Sequence, residues 1–432
     1  MMERRQIVEA ARLLDSAAPG TRVLVTLIHI EGSSYRRTGA RLLTHSTPHA
    51  GRPMGLAARS SASGYTGTIS GGCLEAEVVQ KAAWKVRGGP VVERYSTLFD
   101  DTAEIPFGLG CGGTVGLLFE PASTPEFDAL IDAMAGSLGG EECTVITWLP
   151  GESASANASG GTTFARAILR GDGGLGFASP GIDSAAIAAA LRGGSCWDHR
   201  RGGVHVEHLE PPQRLVVFGA GDDAKPVVRM AALLGWSVVV VDGRSPLARP
   251  ERFPEAQRVV VAQAPAAEAV DEVGLASKDG GPPDLSSLNL SSADAVILMT
   301  HSYEQDRGWL AALLPIAPRY LGVLGARHRS SLLVSEAAGM AGIPLAVCCE
   351  RIYAPVGLDL GGDGPEAIAL AVIAEAHARC NGRLGRSLRL SVDDVSARVN
   401  QVERGGGPGH LRAQCAAAPG PESPELGAET LR

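Results

Sequence analysis

Two of the eight cysteines stand inside glycine turns, and these carry the clearest chemical promise in the chain. In Ser70-Gly71-Gly72-Cys73-Leu74-Glu75 the glycines free the backbone to approach a ligand closely. Ser70 stands where a helix N-cap would, ahead of Leu74, Val78, Ala82 and Val86 at four-residue spacing. Cys73 then falls in the first helical turn, where unpaired N–H groups and the helix dipole favour a thiolate. That placement suggests a nucleophile, yet no histidine base accompanies it in a recognisable motif, so a binding thiol is the expectation. In Phe107-Gly108-Leu109-Gly110-Cys111-Gly112-Gly113, four glycines surround a second thiol, and each glycine costs backbone entropy that packing alone does not justify. For both, the alternative is a passive cysteine in a glycine turn. Arg36 and Arg37, on the loop 31–39, can supply anion contacts; solvated surface is their alternative.

A different chemistry is written after Gln213. The apolar run Arg214–Phe218 leads into Gly219-Ala220-Gly221-Asp222-Asp223-Ala224, then helical periodicity (Val227, Val228, Ala231, Leu234), then a strand ending in Asp242. Strand, G-x-G-x-x-A, helix, strand and acid is the dinucleotide-binding order, with Asp242 at the distance of a ribose-binding acid. Asp222 and Asp223 in the loop are expected to repel a pyrophosphate. Further strand–helix units follow, with His301 and Asp306 after the strand 294–300 and Arg327 after the strand 320–324. With Asp242 and Arg244 they line one rim, outside the carboxyl ends of the strands, where ligands collect in such sheets. There Arg327 suits a phosphate and His301 a base or hydrogen-bonding anchor.

The elements that must position these groups divide the chain. Residues 5–15 predict a helix, 23–28 and 41–44 strands, 45–66 a surface loop, the segment after Ser70 a helix to about residue 87, and 91–95 and 114–119 strands. Residues 121–212 predict a helix (126–134) and strands (143–149, 164–169) without evident chemistry; His205 and His208 read as strand-surface residues. The expected organisation is an N-terminal α+β domain over 1–120 and a connecting segment, or continuation of that domain, over 121–212. A Rossmann-like, doubly wound parallel-sheet domain follows over 213–380, then a Gly/Pro/Ala/Glu-rich tail over 381–432 that reads as disordered.

Composition excludes several classes. The chain is 432 residues long, with 45% hydrophobic and 20% charged residues, room for two or three cores. A formal charge of −8 argues against nucleic acid as the main partner, and no apolar stretch suits a bilayer. The N-terminal segment is amphipathic rather than a signal-peptide core, which predicts a cytoplasmic protein with free thiols. The cysteines show neither C-x-x-C spacing nor a cysteine–histidine cluster, so no zinc site is expected.

Taken together the motifs resemble the XdhC/CoxI family of maturation factors for xanthine and carbon monoxide dehydrogenases. The resemblance rests on Gly32–Arg37 with Gly39-Ala40-Arg41, Ser70–Glu75, Gly110–Gly113, Arg214–Gly221, Glu251–Pro254, Met299-Thr300-His301 with Asp306, Gly322–Gly325 and Gly357–Gly361. These run in family order from about residue 7 to 380. The resemblance implies a chaperone rather than a self-sufficient enzyme. Its cargo would be the molybdenum cofactor (molybdopterin), sulfurated with help from a cysteine desulfurase and inserted into a xanthine dehydrogenase-type or carbon monoxide dehydrogenase-type apo-enzyme. A homodimer is the expected assembly. Residue chemistry and resemblance together put forward Arg36, Arg37, Ser70, Gly71, Gly72, Cys73, Cys111, Gly112, Gly219, Gly221, Asp242, His301 and Arg327 for cofactor binding. Thiols are soft ligands, able to sit near molybdenum or to relay sulfur from a persulfide. The chain departs from the family pattern in carrying Asp222 where histidine is usual, in a longer 45–66 loop, and in its C-terminal tail. Two other functions stay open: an NAD(P)-dependent oxidoreductase using the Rossmann half, and a structural adaptor that binds no small molecule.

Overall fold

A computed structural model describes residues 1–13, 22–32, 34–46, 63–72, 74–96, 113–122, 124–151, 163–264, 285–389, 391–393 and 395–396. They form two compact units, built from Met2–Pro211 and from Pro212–Arg389.

The first unit runs α1 (Met2–Leu13), β1 (Val23–Glu31), β2 (Arg41–Ser46), β3 (Ser63–Gly67), α2 (Glu75–Lys85), β4 (Val91–Ser96) and β5 (Thr114–Pro121). It continues with α3 (Pro125–Leu138), β6 (Cys143–Leu149), β7 (Ala165–Arg170), β8 (Leu175–Ala178), α4 (Ser184–Gly193), β9 (Cys196–Asp198) and β10 (Gly202–Leu209). Two antiparallel five-stranded sheets result, ordered β3-β2-β1-β5-β4 and β8-β7-β6-β10-β9. Residues 63–67, expected within a surface loop, are instead an edge strand pairing Leu42 with Gly67 and Ser46 with Ser63. Their sequence, Ser-Gly-Tyr-Thr-Gly, lacks the apolar alternation by which a strand is recognised.

β1 shows how the first sheet is covered on both faces. Val23, Val25 and Leu27 pack with Val78 and Ala82 of α2, whereas Leu24 points to the opposite core, with Ile7 and Val8 of α1 and Phe127, Leu130 and Ile131 of α3. Local signals start the helices on cue. Thr124 caps α3 by accepting from the Phe127 amide (3.1 Å), with Pro125 in the first turn, and Asp183 caps α4 through the Ala186 amide (2.8 Å).

The second unit contains β11 (Arg214–Phe218), α5 (Ala224–Leu233), β12 (Ser237–Asp242), β13 (Arg258–Val261), β14 (Ala295–Leu298), α6 (Tyr303–Leu313), β15 (Tyr320–Val323), α7 (Arg327–Ala341), α8 (Leu345–Arg351), β16 (Ile352–Tyr353) and α9 (Pro365–Cys380). Its strands are all parallel, in the order β13-β12-β11-β14-β15-β16. This is the doubly wound Rossmann arrangement, whose strand order reverses between β11 and β14. Leu215 and Val217 face α5 and α9, while Val216 and Phe218 face α6 and α7. Such a strand is apolar on both faces and reads as a continuous hydrophobic run, which is why it was visible in the sequence. No described helix is long and apolar enough to cross a membrane.

Candidate functional site

The turn between β3 and α2 is filled from within. α2 begins at Glu75, and the Glu75 carboxylate folds back into the glycine turn, leaving the residue 2% exposed. Its Oε1 accepts the backbone N–H groups of Ile69 (3.0 Å), Ser70 (2.9 Å) and Gly71 (3.2 Å) and the Thr68 hydroxyl (2.5 Å). Its Oε2 accepts from the Gly72 N–H (2.9 Å) and the Ser70 hydroxyl. Burial pushes this carboxyl up, but the hydrogen bonds from Ser70, Thr68 and the backbone outweigh it and bring the pKa down to about 2. Successive N–H groups of this kind make an anion cradle. Here the anion is the protein's own.

Ser70 therefore does not cap α2 as the sequence suggested. The N-cap position falls on Leu74 with no side-chain cap, and the Ser70 hydroxyl accepts the Leu74 N–H (2.9 Å) while donating to Glu75. The helix starts beyond position 73 rather than including it.

A second carboxylate joins this turn to the 32–39 loop. Glu3 of α1 accepts the Thr68 N–H (2.5 Å) and pairs with the Arg36 guanidinium. Arg36 is thus committed to an internal partner, whereas the exposed Arg37 side chain has none among the described residues. The Tyr35 ring lies against Gly71: a Cβ there would stand 2.8 Å from Cδ1 and 2.9 Å from Cε1, at a φ of +89°. Arg41, from the same sequence motif, points inward and makes a two-pronged pair with Glu207 of β10. Arg166 does likewise with Glu120, both side chains at most 2% exposed, and adds bonds to Thr147 Oγ1 and the Glu126 carbonyl. Two buried ion pairs thus bridge the two sheets of this unit, in a region whose sequence promised no chemistry. Between them His205 is buried, with both ring nitrogens unpartnered, and burial lowers its pKa to about 4. Its expected place on the strand surface is corrected; His208 is exposed.

In the second unit the rim is a set of closed charge pairs. Gly219, at a φ of +125°, leaves no room for a Cβ, which would sit 2.3 Å from the Met299 carbonyl oxygen. The loop after β11 and the exit of β14 are in backbone contact. The buried Asp242 accepts the Ala220 N–H (2.7 Å), the Arg244 N–H (2.8 Å) and two guanidinium nitrogens of Arg244 (2.9 and 2.7 Å). Burial works against its charged form, but these bonds prevail and lower its pKa. Asp222 pairs with Lys225 (2.7 Å) and Arg252 (2.8 Å), bonds that lower its pKa, and Asp223 pairs with His301 Nε2 (2.7 Å). Both loop aspartates thus have internal partners, Asp222 two cations and Asp223 an imidazole. His301 takes a left-handed backbone (φ 63°), a conformation that costs a non-glycine residue energy and persists only where its surroundings impose it. Asp306 is not on the rim; it is fully buried, bonded to Thr300 and to Arg329 (2.6 Å).

A model of the XdhC and CoxI family matches residues 16–96, and a model of the XdhC Rossmann domain matches residues 215–376. The chain belongs to the XdhC and CoxI family. Among relatives of this XdhC-family chain is a Bacillus subtilis (strain 168) protein named as a probable xanthine dehydrogenase subunit, 26% identical over 361 residues, spanning 82% of this chain and 91% of that protein. An uncharacterized Escherichia coli (strain K12) protein, YqeB, is 28% identical over 206 residues, 47% of this chain and 34% of its own length. The crystal structure of a xanthine dehydrogenase from Bacillus halodurans superposes with a TM-score of 0.62 at 25% identity, covering 90% of this chain and 98% of that one.

In this XdhC-family chain, Arg36, Ser70, Gly71 and Gly72 are brought together around Glu3, Tyr35 and Glu75. Gly219, Gly221, Asp242 and His301 gather around Asp223, Arg244 and Met299. Arg327 opens α7 as an exposed side chain with no partner among the described residues. Cys73, Cys111 and Gly112 lie outside the described residues, as do 47–62 of the long loop and 397–432 of the tail. Sequence reading missed the organising carboxylates Glu3, Glu75 and Glu207. The one available signal was a glutamate placed directly after a glycine turn, at a helix start. A cavity of about 570 Å³ lies away from these loops, between α3 and β6–β8, lined by Ala129, Cys143, Ile168 and Phe177 among others.

Proposed function

We propose that this chain is a maturation factor that binds the molybdenum cofactor as cargo, assists its sulfuration and inserts it into a xanthine dehydrogenase-type or carbon monoxide dehydrogenase-type apo-enzyme. Family membership and the relative named for xanthine dehydrogenase support the client class. The observation that carries the reading is the joining of the Gly32–Gly39 loop to the Ser70–Glu75 turn through Glu3 and Glu75, which fixes a rigid surface next to Cys73 in sequence. In this reading Cys73 and Cys111 hold the cargo or relay sulfur delivered by a cysteine desulfurase. The chain works in the cytoplasm as a homodimer.

The parallel strand order of the second unit favours one rival, an NAD(P)-dependent oxidoreductase. Against it, the acid that would grip the ribose is already engaged by Ala220 and Arg244. Purifying the chain with and without a molybdenum-cofactor source, and measuring bound pterin and metal, separates the two. The proposal expects near-stoichiometric pterin; saturable NAD(P) binding with turnover and no pterin would replace it with the rival.

A further inference from the structure

We infer that Tyr35 is the stacking surface for the flat pyrimidinone ring of the cargo's pterin, with Arg37 supplying charge to its anionic tail; this rests on the reading of the chain as a molybdenum-cofactor carrier.

The inference starts from what the glycine turn can no longer do. A phosphate is ordinarily held by free backbone N–H groups at such a turn. In this turn the N–H groups of Ile69, Ser70, Gly71 and Gly72 all point at the Glu75 carboxylate. A second anion placed there would displace an internal one and meet its charge. Recognition of an anionic heterocycle at this surface has to come from side chains that remain open.

Two such side chains flank Arg36. Tyr35 is 74% exposed, and its ring approaches Gly71 through Cδ1 and Cε1, so most of the ring surface stays open. The loop holding it is fixed in advance: Arg36 is tied to Glu3, the Gly39 N–H donates to the Leu27 carbonyl (2.8 Å), and the Ala40 N–H donates to the Arg37 carbonyl (3.2 Å). A ring already held in place loses little freedom on binding, which is where preorganisation gains affinity. Aromatic faces bind flat heterocycles by stacking, with little demand on the heterocycle's hydrogen-bonding edge. Arg37, exposed and without a partner among the described residues, is the adjacent free cation.

The test uses the full chain, purified free of cofactor, and two probes. One is molybdenum cofactor released from a donor molybdoenzyme, with retention read as pterin recovered after gel filtration. The other is a fluorescent oxidised pterin bearing a phosphate, with stacking read as quenching. Wild type and Tyr35→Phe should retain the cofactor and quench the pterin. Tyr35→Leu, which fills the space beside Gly71 without a π face, should bind about ten-fold more weakly and fail to quench. Arg37→Gln should weaken the phosphorylated pterin but not its phosphate-free analogue. Retention and quenching unchanged in Tyr35→Leu would overturn the assignment of Tyr35 while leaving the carrier function intact. Failure of wild type to retain either probe would overturn both.

Discussion

The Glu75 carboxylate and the Gly72 amide meet at 2.9 Å, and this contact completes a shell of four backbone N–H groups and two hydroxyls around one buried side chain. A turn with the composition of an anion site is in this protein a self-closed anchor. Its donors are spent on its own side chain, and what remains is a rigid surface.

Glu75→Gln replaces an acceptor oxygen with an NH2 group that faces N–H donors. Hydrogen bonds to a charged acceptor are worth more than neutral ones, so the variant should lose about 3 kcal/mol in urea unfolding. The pH dependence has a definite sign. The folded pKa, about 2, lies below the ordinary value of 4.5, so the stabilisation is complete above that ordinary value and is lost as pH falls through the folded one. Wild type should lose roughly 3 kcal/mol more than Glu75→Gln between about pH 5 and pH 2. Parallel acid-unfolding curves would contradict this.

The Arg166–Glu120 pair is buried and fully bonded, so removing one partner strands a charge between the sheets. Arg166→Ala or Glu120→Ala should each cost about 3–5 kcal/mol by chemical denaturation. Replacing both with apolar residues of similar volume should restore most of it.

Gly71 and Gly72 both have positive φ, but only Gly71 faces Tyr35; a Cβ at Gly72 meets nothing within 4 Å. Gly72→Ala should cost only the left-handed backbone term, about 1–2 kcal/mol. Gly71→Ala should cost more, and Tyr35→Ala in the same chain should recover the difference. The melting temperatures of the four-member cycle measure it.

Asp242 is the acceptor for the Ala220 N–H. Asp242→Ala should accelerate hydrogen exchange at the Ala220 amide by about ten-fold or more, because a buried donor loses its partner. Unchanged exchange would mean that the loop is held by other contacts.

The second unit was the more legible half. Arg214–Phe218, the glycine loop and Asp242 follow one another within a single strand–helix–strand unit, and short-range patterns of that kind survive in the sequence. The parallel sheet and the continuous burial of β11 from Leu215 to Phe218 follow directly. The first unit hid its logic because its organising contacts join distant residues. Glu3 meets Thr68 and Arg36, and Arg41 meets Glu207 across two sheets. Glu207 therefore points inward, against the usual expectation, because Arg41 of the facing sheet pairs with it, and His205 is buried beside them as a neutral ring. Glu75 stands within a recognisable motif, but its partners are mostly backbone amides, which carry no residue-type signature.

The carrier function is tested most directly by transfer. Cofactor-loaded chain is mixed with a xanthine dehydrogenase-type apo-enzyme lacking its molybdenum cofactor, and xanthine oxidation is followed against an equal amount of free cofactor. Activity that rises in proportion to loaded chain, above the free-cofactor control, is the result expected. Activity no greater than that control would contradict the account.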